Sequence, residues 1–274
     1  MTDRKTLRRR VLLELGDLKV LTATANGTDQ TFIDAINLIG EPNAYIDRQV
    51  LFTGGTSANL GVINQVNGSS KNSRSLSLAV TLPAATAIGD ECELINTRGV
   101  GYTFQDVHQA INKAIAEAAR ECTILVTADD TFSQSAGSVA IPESWSVFSG
   151  IQWQDSIGRW RGIVPAPRLA GPGWSVDRVN RAVLIGGDWA SKLDGRPVRM
   201  TGATDPGPLN EDSDETPVNP DWLVAEAAAI LLQSKYLLHP TPQAERTFAM
   251  LRQKANQLRV FTISRRLANS VRLT

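Results

Sequence analysis

The sequence predicts an α+β protein: a discontinuous helical bundle with inserted antiparallel β-barrel or β-sandwich domains and an extended C-terminal tail. Three observations lead to this class. Helical periodicity occurs at both ends of the chain, strand-like alternation fills much of the middle, and five of the six tryptophans fall in that middle region. With 274 residues, 42% of them apolar, the chain can build more than one hydrophobic core.

The helical segments carry recognisable start signals. Over residues 6–18, leucine and valine recur at spacings of four, four and three, which predicts an amphipathic helix with a basic opposite face. Thr103 followed by Asp106 is a capping pair in front of a second periodic segment. The pairs at 219–220 and 241–242 each place a capping residue before a first-turn proline, which predicts a helical hairpin near the C-terminus.

The strand-like segments form two groups. Residues 75–83 alternate strictly between apolar and polar or small side chains, which predicts a half-buried strand within a small antiparallel β domain. After Cys122, β-branched runs alternate with Gly and Pro turns and carry the tryptophans, which favours a β-sandwich or β-barrel.

These patterns predict four regions. The helical bundle domain combines residues 1–29, 97–122 and 217–258; residues 30–96 form the small β insertion, 123–216 the Trp-bearing β-sandwich insertion, and 259–274 a C-terminal docking arm.

Charge is balanced overall, at 28 basic and 28 acidic residues, but unevenly distributed. Residues 246–274 hold seven Lys or Arg and no acid, residues 4–10 are also basic, and residues 205–221 are acidic. Such complementary segments favour contacts between subunits or with another protein, and ordinary solvated charge is the alternative. The acidic stretch 210–215 lacks the spacing of an EF-hand, so a solvated loop is favoured over a calcium site.

Residues able to carry catalysis or bind metal are few. The two histidines, His108 and His239, and the two cysteines, Cys92 and Cys122, are far apart and match no metal-ligand spacing, and no nucleophile motif is present. We therefore expect a non-enzymatic protein with no catalytic, metal or cofactor site. No apolar run reaches the roughly 18 residues of a membrane helix and no signal core is evident, so we expect a chain made in a cytoplasm.

The tryptophans allow a second interpretation. Aromatic faces stack on sugars as well as fill cores, and core packing accounts for most tryptophans in small β domains. The candidate glycan-stacking residues are Trp153, Trp160 and Trp174.

Several short passages resemble virion proteins of the head–tail neck of tailed bacteriophages. They are the run over residues 89–96, the helix over 107–115, the passage 193–202, the Asn-Pro pair at 219–220 and the Ala-rich helix over 224–232. The resemblance covers most of the chain as a pattern of elements and phrases, without a diagnostic motif.

The resemblance implies a head–tail adaptor, or connector, whose helical bundle docks beneath the portal as a ring of about twelve subunits and whose C-terminal segment reaches into the portal or a neighbouring subunit. Implied partners are the portal protein, other neck or tail proteins and neighbouring copies, with DNA met only as it passes the channel and no membrane. The location would be the head–tail junction of the virion. The candidate contact residues are Arg259, Arg265, Arg266 and Arg272. The alternative is a carbohydrate-binding or fibre-attachment protein of the virion that uses the Trp-rich domain.

Overall fold

The computed structural model describes residues 1–96, 102–119, 124–165, 173–238, 241–259 and 271–273. The helices in these ranges are α1 Arg4–Glu14, α2 Phe104–Ala118, α3 Asp188–Leu193, α4 Pro220–Leu238 and α5 Pro242–Arg259. The strands are β1 Thr2–Asp3, β2 Leu18–Thr22, β3 Thr31–Ile33, β4 Gln49–Gly54, β5 Ile63–Ser70, β6 Ser75–Leu78, β7 Glu91–Ile95, β8 Ile124–Thr131, β9 Ser138–Ala140, β10 Val147–Gln154, β11 Trp160–Gly162, β12 Gly173–Asp177, β13 Ala182–Gly186, β14 Pro197–Thr204, β15 Glu215–Thr216 and β16 Val271–Arg272.

The chain divides into two compact units, each built from two sequence segments. The first unit comprises Met1–Glu117 and Gly207–Thr262, and the second comprises Ala118–Pro206 and Ile263–Thr274. Strands β2 to β7 therefore share a unit with α1, most of α2, α4 and α5.

The first unit contains an antiparallel sheet with strand order β2-β7-β4-β5-β6-β3. Its edge strands approach each other through Asp34, a fully buried carboxylate that accepts hydrogen bonds from the Thr22 N–H at 3.0 Å and the Ile36 N–H at 2.9 Å. No continuous ladder joins the edges, because β3 is only three residues long. The expected barrel is wrong for the described residues, where every sheet is open.

Two predicted elements are shorter than expected. Helix α1 ends at Glu14, and Leu18 begins β2, because Gly16 adopts a left-handed φ of 71° that ends the helix. The strand expected over 75–83 ends at Leu78, and Val80 is 66% exposed instead of buried. Beyond Leu78, the side-chain amide of Asn64 exchanges hydrogen bonds with the backbone N–H and carbonyl of Val80, and these bonds take the place of backbone pairing between strands.

The predicted helix starts are confirmed. The Thr103 hydroxyl and the Asp106 carboxylate bond reciprocally to each other's backbone N–H at the start of α2. Helices α4 and α5 begin at Pro220 and Pro242 as predicted, each after a residue whose side chain caps the first turn. Helix α4 packs against both α1 and α5, and its residues Trp222 to Ala229 are all buried.

The second unit contains a sheet with strand order β11-β10-β14-β8, in which β16 also pairs with β10, and a three-stranded sheet with order β12-β13-β9. Side chains from both sheets share one hydrophobic core, which includes Phe148, Met200, Trp174 and Val183. Leu273, 7% exposed, is also part of that core. The last described residues of the expected docking arm thus contribute to the packing of this unit.

Candidate functional site

Of the four candidate arginines of the docking arm, the structure describes the side chain of Arg272 alone. Arg259 is the last residue of α5, and Arg265 and Arg266 lie outside the described residues, as does the side chain of Arg259. Arg272 is exposed on β16, opposite Val147 of β10. Its flanking residue Leu273 is buried, so backbone pairing and one apolar anchor hold Arg272 at the surface.

The basic face of α1 lies over an acidic layer of the same unit. Arg8 has no exposed side-chain surface, and its guanidinium donates to both carboxylate oxygens of Glu93 on β7, at 2.6 and 3.1 Å, and to Asp212 at 2.9 Å. Arg4, one turn earlier on the same face, donates to Asp212 at 3.0 Å. Strand β1 pairs with β15 and holds the acidic loop next to the start of α1.

The layer continues toward β4 and α4. Arg9 donates to Glu93 at 2.7 Å and also to Glu91, while Lys5 reaches Glu91 at 3.0 Å. Arg10 pairs with Asp221 in the first turn of α4. Basic residues of the segment 4–10 therefore pair with Asp212 and Asp221 of the acidic segment within one chain, so these two carboxylates are not simply solvated.

The layer shifts the pKa of its members. Partial burial raises the pKa of Glu91, but hydrogen bonds from Lys5, Arg9 and Thr53 outweigh it and lower that pKa to about 2. Burial, reinforced by the charges of Arg8 and Arg4, lowers the pKa of His108 on α2 to about 4. At 3.1 Å from the Arg8 guanidinium, His108 Nε2 accepts a hydrogen bond, which requires the neutral ring.

A surface groove of about 410 Å³ crosses α1, α4 and α5 of the first unit. Leu13, Val224 and Leu258 provide its apolar lining, and Leu13 is 63% exposed. Its charged lining residues are matched in pairs: Arg10 binds Asp221, and Lys254 of α5 binds Glu14 of α1 at 2.7 Å. The groove thus combines apolar side chains with charged side chains that are paired with each other.

The three candidate tryptophans are not brought together. Trp174 is 4% exposed; its ring lies edge-on to Phe148 at 5.0 Å, and its Nε1 donates to the Ile163 carbonyl at 2.8 Å. It is a core residue, so a glycan-stacking role does not suit it. Trp153 is half-buried against the core and contacts Trp189 at 6.2 Å, with Arg196 over its ring.

Trp160 differs from the other two candidates. It lies on β11, and the guanidinium of Arg199 lies over its ring at 4.2 Å. Arg199 also binds both carboxylate oxygens of Asp129, at 2.6 and 2.7 Å. Sequence reasoning missed Arg199 and Asp129; the alternation around Arg199, between two apolar residues of 198–200, marks a surface position but does not reveal its cross-strand partners.

Comparison of the sequence with models of known protein families and with curated proteins finds no match. Among the described residues, no three or more His, Cys, Asp or Glu side chains are grouped so as to hold a metal ion. The described helices also include none with the length and apolar content needed to cross a bilayer.

The buried ion pairs predict that replacing Arg8 lowers the free energy of unfolding much more than replacing Arg10 of the same helix. Arg8→Met leaves the Glu93 carboxylate buried with fewer partners and is expected to lower the free energy of unfolding by about 3–5 kcal/mol. Arg10→Met, at an exposed pair, is expected to cost about 0–1 kcal/mol. Urea unfolding of both variants measures the difference; equal costs would show that the Arg8 layer is not a stabilising contact.

The lowered pKa of His108 predicts that the free energy of unfolding decreases as the pH is lowered. Its pKa rises from about 4 in the folded chain to its ordinary value of 6.5 on unfolding, so the unfolded state binds more protons between those pH values. The free energy of unfolding should therefore fall as the pH is lowered from 7 toward 4. His108→Gln keeps an acceptor for Arg8 without titrating, so its unfolding free energy should fall less steeply in denaturant titrations; parallel profiles would refute the assignment.

Proposed function

We propose that the protein is a non-enzymatic structural subunit of a phage particle, a head–tail adaptor that forms a ring joining the portal to the tail. The groove across α1, α4 and α5 is the observation that carries this proposal. In this proposal the helices form the docking surface, and Arg259, Arg265, Arg266 and Arg272 contact the portal or a neighbouring copy.

The composition of the groove supports a protein partner. An apolar centre bordered by paired charges is the usual anatomy of a protein interface, in which the rim excludes water and the centre supplies most of the binding free energy. Leu13 is an exposed apolar residue of the groove, and its four charged lining residues are paired as Arg10–Asp221 and Lys254–Glu14, so no unpaired charge among them has to be desolvated by an apolar partner.

The groove is also contiguous with the proposed arm. Leu258 lines the groove, and Arg259, the first residue of the arm, follows it directly in the sequence. With the basic face of α1 neutralised internally, the arginines of residues 259–274 are the basic groups assigned to an acidic partner surface. In a closed ring, each subunit needs only modest contacts, because neighbouring copies and the portal are engaged together.

The test compares matched variants of the full chain. Leu13→Asp places a charge among the apolar residues of the groove and is expected to weaken binding to purified portal rings of the same phage at least about tenfold. Ile88→Asp alters an apolar residue of the same unit that is 67% exposed, against 63% for Leu13, and should leave binding unchanged. Sedimentation with portal rings and negative-stain imaging measure binding and ring formation.

The arm is tested in parallel with Arg265→Glu/Arg266→Glu, because truncation would also remove the buried Leu273. This charge reversal should weaken portal binding and make the remaining binding less sensitive to salt. Wild-type protein that neither binds portal rings nor forms rings on them would contradict the adaptor function.

A further inference from the structure

One face of the β11-β10-β14-β8 sheet is directed away from the hydrophobic core. Ile151, Met200 and Val198 occupy the core face and are at most 2% exposed. Because side chains alternate along a strand, the residues between them lie on the opposite face. That face carries a cross-strand row formed by Gly162, Gln152, Arg199 and Asp129, defined by direct pairing of neighbouring strands.

Trp160 lies on the same face as this row, two residues before Gly162 on β11. The Arg199 side chain, 34% exposed, is fixed on one side by the indole and on the other by the bidentate contact with Asp129. The aromatic ring and the guanidinium are thus held in place, which reduces the entropy lost when a ligand orders them.

The surface beside Trp160 is open. A Cβ atom built on Gly162 would meet no atom within 4 Å, and one on Gly150, opposite Thr201 on the same face, would meet only the Thr201 hydroxyl at 3.5 Å. Between these glycines lies Gln152, whose amide supplies both donors and an acceptor. The row spans three inter-strand spacings of about 4.8 Å each, or about 14 Å.

We propose that this face is a binding site for a neutral glycan. The apolar C–H face of a sugar ring packs on an indole, and its hydroxyls exchange hydrogen bonds with amide, guanidinium and carboxylate groups. Trp160 supplies the apolar contact through the part of its ring that Arg199 does not cover, and Gln152, Arg199 and Asp129 supply the hydrogen bonds.

The charges on the face select the class of glycan. Arg199 and Asp129, the charged members of the row, form a matched ion pair. This pair leaves no net charge to attract an acidic sugar, so a neutral oligosaccharide fits better than a sialylated or sulfated one. This site is independent of the groove proposed for the portal, and a protein at the neck would use it to hold the particle to cell-surface or fibre-borne sugars.

The experiment screens the full-length protein on an array of neutral and acidic oligosaccharides and then titrates the strongest neutral binder by calorimetry. Trp160→Ala removes the stacking ring, and Gly162→Val fills the open space beside it. Both should weaken binding at least about tenfold, the order expected for loss of one stacking contact. The Cβ of Gly162→Val meets no atom within 4 Å and Gly162 has no positive φ, and the unfolding midpoint of this variant, measured in urea, should match that of the wild type.

Val179→Ala is the control, since Val179 is 91% exposed in the β12–β13 turn of the same unit, and it should bind like the wild type. Binding of a neutral oligosaccharide that both Trp160→Ala and Gly162→Val weaken supports the site. The proposal is overturned if no neutral oligosaccharide binds, if the two variants bind as well as the wild type, or if only acidic oligosaccharides bind.

Discussion

Burying the Arg8 guanidinium removes a charge from water, at a cost of several kcal/mol that is offset only where its donors are fully matched. In this protein the match requires Glu93 on β7, Asp212 on the acidic loop and the neutral ring of His108 on α2 to converge on one side chain. The contact thus fixes helix α1, the sheet, the loop before α4 and helix α2 relative to one another. A shift of any of the four would remove at least one hydrogen-bond partner from this buried cluster.

The same contact determines which surfaces of the first unit remain for assembly. Because Arg4, Arg8 and Arg9 are bound to carboxylates of their own chain, the basic N-terminal segment is not a free docking surface. Holding α1 in place also creates the groove, since Leu13 and Glu14 of α1 form one wall and α4 and α5 form the other. In this account the internal ion pairs shape the exposed apolar surface that a neighbour or portal would contact.

What the sequence predicts well is local. The caps at Thr103, Asn219 and Thr241 act within one helical turn, so short spacing suffices to find α2, α4 and α5. Interactions between residues distant in the sequence could not be predicted from it. Arg8 and Glu93 are 85 positions apart, and Arg199 contacts Trp160 only because of the register of the strands. The alternation over 75–83 predicted too long a strand for the same reason: the Asn64 side chain that binds the Val80 backbone belongs to another strand.

Of the candidate sites, the sequence grouped Trp160 with the buried Trp174 as candidate stacking residues, because burial depends on which face of a sheet each ring occupies. The groove was not predicted, since it requires the packing of α4 against both α1 and α5.

The claim that this chain is a neck component is tested most directly by immunogold electron microscopy of phage particles with an antibody against the protein. The adaptor account predicts label confined to the head–tail junction. Label on fibres or tail tips, or particles without label, would contradict it.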